Sequence, residues 1–180
     1  MEDLKKFAIG TIITLVVGGT AYSFTQEDVI NNFAQDTGLS QEQAARYVSG
    51  MSEDELDTWE NVGDEMMKEG QEVLIAASEI DCINYEYEWQ SATLSCSQGK
   101  TQLTTLGQSS LDLGRSYIRL SSENATPADM QQTIQYIDAL NATLRSEIVI
   151  ANFTQADIEY IRNGNSYNKA VLQAALGSEN

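Results

Sequence analysis

At 180 residues the chain is long enough for one domain with a real core and short for two. Hydrophobic residues at 42% exclude a disordered chain, and a single proline, Pro127, permits long helices and argues against an all-β fold. The formal net charge of -17 works against nucleic acid or anionic headgroups as partners, and the absence of histidine excludes zinc hydrolases, Glu-x-x-His di-iron bundles and Ser-His-Asp triads in their usual forms.

Residues 1–6 are polar and end in Lys5-Lys6, residues 7–17 are almost wholly apolar, and Gly18-Gly19 and residues 20–24 follow. This predicts an N-terminal helix directed to a membrane, in one of two forms. A signal peptide would use the small-x-small pattern Ala21-Tyr22-Ser23 for cleavage. A single-pass anchor would use the 18 residues 7–24, the short end of what spans a bilayer. Either way, lysines before the segment and Glu27 and Asp28 after it place the rest of the chain on the non-cytoplasmic side, whether periplasm, lumen or extracellular space. The expected location is therefore membrane-anchored or secreted, with the membrane itself as a partner through residues 1–24.

Residues 25–51 read as a short helical hairpin. Thr25 caps its first helix with Asp28 in the capping-box position, Gly38 ends that helix, and Ser40 caps the second with Gln43 three residues on. The stretch 29–48, with Ala34, Gly38-Leu39-Ser40 and Ala44, resembles the N-terminal helical hairpin of the bacterial histone-like HU proteins. The likeness covers about 20 residues and none of that family's basic, DNA-binding part. It implies a helix-turn-helix packing unit without DNA binding.

A long helix is predicted from residue 53 to about residue 80. Leu56, Trp59, Gly63, Met66, Gly70, Val73, Ala77 and Ile80 step alternately by three and four, the spacing of a coiled-coil seam. Its charged residues, Asp57, Glu60, Asp64, Glu65, Glu69, Glu72 and Glu79, fall largely off that seam, and residues 52–88 hold 13 carboxylates against the single Lys68. That run is either a solvated face or a surface that attracts cations or a basic partner. No EF-hand loop accompanies it, so Asp54, Asp57, Glu60 and Asp64 do not define a calcium site.

Cys82 and Cys96, the only cysteines, are expected to pair outside the cytoplasm and close a loop of 15 residues, worth about 3 kcal/mol in the chain-entropy model. Within that loop Ile83, Tyr85, Tyr87 and Trp89 alternate with polar residues at strand spacing. Tyr85, Tyr87 and Trp89 are candidates for an interaction tip, or they cap the core. A second long helix is predicted over residues 100–120, with Leu103, Leu106, Ser110, Leu113, Tyr117 and Leu120 as its seam and Gly107 and Gly114 on its flank.

If these two helices are antiparallel neighbours folded back at the cysteines, facing positions have a constant sum. Positions 82 and 96 sum to 178, while 70 with 107 and 63 with 114 both sum to 177. Gly70 and Gly107, and Gly63 and Gly114, would then lie level, with Met66 opposite Leu111 and Trp59 opposite Ile118. Glycine inside a helix costs about 1 kcal/mol relative to alanine, so matched pairs suggest close backbone approach or a slot for a ligand or a partner's ring.

Thr126-Pro127-Ala128-Asp129 starts a third long helix, predicted to run to about residue 150. Thr154 caps a fourth, with an interruption at Asn163-Gly164-Asn165 and a polar tail from Gly177. The fold predicted is all-α: an up-and-down bundle of three to four long helices over residues 52–176, preceded by the short hairpin and the membrane or signal helix. Nothing marks a catalytic residue, a metal ligand or a cofactor site. The functional expectation is a non-catalytic accessory or interaction protein of a membrane surface, with a protein partner of basic character. The alternative is a helical module that binds a small ligand or a cation.

Overall fold

The computed structural model describes residues 12–50, 59–83 and 94–178. It is mostly helical, but it opens on strands. β1 (Ile12–Val17) pairs antiparallel with β2 (Thr20–Thr25), with Ile13 opposite Phe24 and Leu15 opposite Tyr22. Gly18 and Gly19 both have positive φ, as the tight turn of a two-residue hairpin requires. Strand alternation sends Val17, Tyr22 and Phe24 into the core and leaves Val16, Ala21 and Ser23 outside. The apolar helix expected through residue 24 is thus corrected from residue 12 onward, and among the described residues no helix is long and apolar enough to cross a membrane. The physical reason is that β-branched residues dominate 12–17 and a double glycine comes next, so period two and a reversal outweigh bulk apolarity.

Seven helices come after the hairpin among the described residues: α1 (Gln26–Thr37), α2 (Gln41–Gly50), α3 (Trp59–Glu79), α4 (Cys96–Leu120), α5 (Pro127–Thr143), α6 (Glu147–Asn152) and α7 (Gln155–Gly177). β2 passes straight into α1, because Thr25 is both the last strand residue and the cap: its side chain accepts from the Asp28 N–H, and Asp28 accepts in turn from the Thr25 N–H. Gly38, in the left-handed region, ends α1. The same reciprocal box starts α4 at Ser95 with Gln98 and α5 at Thr126 with Asp129.

Three boundaries differ from expectation. α4 starts at Cys96 on the Ser95 box and not near residue 100. The third long helix stops at Thr143, and α6 starts afresh after Ser146. Ser146 makes no side-chain cap; instead Gln102 of α4 accepts the Ile148 N–H at 3.0 Å. The break lets Leu144, Ile148 and Val149 all reach the core. Conversely, α7 runs unbroken through Asn163-Gly164-Asn165. Asn165 is buried there and donates to the Asn141 side chain of α5 at 3.0 Å, so its polar group is satisfied by a neighbouring helix and not by a turn.

The core gathers the inner face of the hairpin, Phe33 of α1, Leu113, Tyr117 and Leu120 of α4, Ile137 of α5 and Leu172 of α7. α3 lies outside this assembly and packs chiefly on α4.

Candidate functional site

The end of the α3–α4 pair is tied covalently. Cys82 and Cys96 form a disulfide with their Cα atoms 5.6 Å apart, which points to a non-reducing, extracytoplasmic environment. Beside it the Lys100 ammonium donates to the Ile80 carbonyl at 2.8 Å, satisfying one of the acceptors left open where α3 ends. Ile83 is 93% exposed. The expected tip residues Tyr85, Tyr87 and Trp89 lie outside the described residues.

Along the pair, the structure brings Gly63 to Gly114 and Gly70 to Gly107. A Cβ on either member of the first pair would stand 2.7 Å from its partner's carbonyl oxygen, and on either member of the second 2.8 Å. The contact is reciprocal: each glycine presents its Cα to the other's carbonyl, a geometry that weak C–H···O bonds recur in. No slot is left at these levels. A Cβ on Gly114 would also meet the Met67 side chain, one on Gly107 the Leu74 side chain, and one on Gly63 the Ile118 side chain. Ile118 and Leu111 thus lie beside the glycines as the arithmetic placed them, whereas Met67 and Leu74 take the place of Met66, and the Trp59 ring stacks on Tyr117 with centroids 5.1 Å apart.

Because glycine turns this face of α3 flush onto α4, two other faces of α3 are released. One carries Glu60, Asp64, Glu65, Glu69, Glu72 and Glu79, all exposed and none in an ion pair among the described residues. The other, with Val62, Met66 and Val73, forms one wall of an open groove of about 350 Å³. Leu106 of α4 and Leu140 of α5 lie at its base, and Tyr47, Phe153, Tyr160 and Ile161 line its far side. Tyr160 is 80% exposed and Phe153 43%. Tyr47 stacks on Phe33, with centroids 4.8 Å apart, and burial together with the nearby Tyr160 phenol raises its pKa.

On the α3 side, Glu69 stands in the groove wall. At 100° per residue, Glu65 and Glu72 fall on the adjoining stripe, one turn before and after it. The groove is therefore apolar at its base, aromatic on one lip and acidic on the other. The aromatic lip was not legible as a site in the sequence.

Among the described residues, no group of three or more His, Cys, Asp or Glu side chains is gathered in a way that could hold a metal ion. Searches among family models, curated proteins and solved structures find no match to this chain.

Proposed function

We propose that this chain is a non-catalytic interaction protein of an extracytoplasmic compartment, and that its groove between α3 and α7 receives a basic amphipathic helix from a partner protein. The observation that carries this reading is the groove's composition: an apolar base open to solvent between a carboxylate lip and a lip of Phe153, Tyr160 and Ile161. Exposed apolar surface rimmed by charge is how soluble proteins present a docking site. Apolar anchors at helical spacing on the partner would enter the groove. Flanking lysines or arginines would meet Glu65, Glu69 and Glu72, and cations near Tyr47 and Tyr160 would gain from the ring faces. The chain's net charge of -17 adds steering of a basic partner on approach.

Membrane attachment, if the chain has it, would lie upstream of β1, because Val17 and Tyr22 belong to the core. Photocrosslinking from position 160 or 153 in the native compartment tests the reading. A discrete adduct whose linked peptide is basic and amphipathic supports it. Adducts from those positions no different from those formed at exposed Ser49, on α2, would oppose it.

A further inference from the structure

On another face of α7 a second cavity, of about 460 Å³, opens between the end of α1, α5 and α7. Its walls are polar: Asp36, Asp138, Asn141, Arg145, Glu159 and Arg162 are the principal groups. Two of its carboxylates are already engaged. Lys169 donates to Asp36 at 2.5 Å and to Asp138 at 2.6 Å, and Ser166 donates to Asp36 at 2.6 Å. Burial alone would lower the Lys169 pKa, but its bonds to Asp138 and Asp36 outweigh that and raise it, so the ammonium is held charged between the two carboxylates.

The arginines are the unusual part. The chain has five. Arg46, Arg115 and Arg119 each pair with a carboxylate, of Glu42, Asp112 and Asp129. The other two, Arg145 and Arg162, form no ion pair among the described residues, and both line this cavity. Arg162 is half-buried and its Nε, fully shielded from solvent, has no hydrogen-bond partner. Glu159, one turn from Arg162, accepts instead from Gln155 at 2.8 Å. Lys169 engages two of the cleft's three carboxylates, so in a protein with 27 acidic residues against 10 basic ones this cleft is close to charge-balanced and holds two guanidinium groups that form no ion pair among the described residues. A shielded N–H with no acceptor is also costly to leave unmade.

We infer that this cleft binds a small oxyanion, a carboxylate or a phosphate ester, held by the Arg145 and Arg162 guanidinium groups. Their planar forks match both chemistries, and Asn141 and Asn163 stand beside them for the ligand's remaining polar groups. The site is separate from the groove and does not depend on it.

Calorimetric titration of the full chain with succinate and, separately, with inorganic phosphate tests the inference. Saturable one-site binding of at least one of them is expected, and which one binds tells a carboxylate ligand from a phosphate. Losing one charged, forked contact weakens binding by about tenfold or more, so Arg145→Gln and Arg162→Gln should each do so, whereas Arg46→Gln, on α2, should leave it unchanged. Arg145 is exposed on the turn after α5, so its variant reads binding with the fold intact. No saturable binding of either probe up to about 10 mM, a concentration that still detects millimolar sites, would overturn the inference. Equal weakening by Arg46→Gln would overturn it as well.

Discussion

A single absent methyl group decides how α3 meets α4. Gly63, Gly70, Gly107 and Gly114 each face backbone closer than any Cβ tolerates, whereas Gly164, in the middle of α7, has nothing within 4 Å of where its Cβ would stand. The same substitution should therefore have opposite signs. Gly63→Ala or Gly70→Ala gains up to about 1 kcal/mol of helix propensity. It should nonetheless lower stability by about 1–3 kcal/mol, since the helices must part. Gly164→Ala should raise stability by about 0.5–1 kcal/mol. Urea denaturation of the three variants decides it, and a change of the same sign in all three would contradict the close contact.

The capping carboxylates give a second prediction at this scale. Hydrogen bonds from the Thr126 side chain and backbone and from Arg119 hold the Asp129 carboxyl below its ordinary range, against a smaller opposing effect of burial, and Asp28 is lowered likewise by Thr25. A carboxyl depressed in the folded state binds fewer protons there than in the unfolded chain. Its stabilisation is present above the unfolded value and is lost as pH falls through the folded one. Relief of the overall negative charge acts in the opposite direction on acidification, so the informative quantity is a difference. The stability gap between the parent and Asp129→Asn should be widest near neutrality and close on acidification below the ordinary carboxylate range. A gap independent of pH would show that the box contributes no charged interaction.

The glycine pairing itself was readable from position sums, because antiparallel helices of equal rise keep facing residues in register. The side chains over each glycine were readable only in part: Met67 over Gly114 and Leu74 over Gly107 were missed, since side-chain direction depends on the rotation of each helix about its axis.

Among the elements, capping signals carried the sequence reading furthest: Thr25, Gly38, Thr126 and Thr154 bound helices as their side chains and dihedrals require. Where a boundary depends on a distant group, local signals fail. The α5–α6 break depends on Gln102, 46 residues before Ile148. Gln102→Ala should cost about 1 kcal/mol, the usual worth of such a bond. It should also speed amide exchange at Ile148 while leaving α5 unchanged, and uniform acceleration across α5 and α6 would oppose this assignment.

The hairpin is the other instructive case. The nearly apolar run of residues 7–17 suits a membrane helix, but Ile12-Ile13-Thr14 and Val16-Val17 before two glycines carry the stronger local signal for paired strands. Gly18 then seats against the α4–α5 loop, where a Cβ would stand 1.7 Å from the Ala125 carbonyl oxygen. If the hairpin belongs to the working protein, intact-mass analysis of material from its native source will find an N-terminus at or before Ile12. A mature chain beginning at Phe24 would remove β1 and most of β2, and would contradict this architecture.

At the scale of the molecule, the two candidate sites were invisible in the sequence for a common reason. The groove joins residue 47 with residues 62–73 and 153–168, and the oxyanion cleft joins residue 36 with 138–145 and 159–166, so no local period marks either. Charge asymmetry, by contrast, was legible: α3 is rich in acids, and the structure leaves them exposed, with Glu69 in the groove wall and Glu65 and Glu72 on the stripe beside it. The central claim is that this lip and the apolar base together select a basic amphipathic helix. The most direct test is fluorescence anisotropy with two labelled helical peptides that share one apolar stripe, one flanked by lysines and the other by glutamates. The lysine peptide should bind saturably, lose affinity as salt is raised, and bind about tenfold or more weakly to the Glu65→Gln/Glu69→Gln/Glu72→Gln variant and to Tyr160→Ser. Equal binding of both peptides, or full affinity retained by both variants, would contradict it.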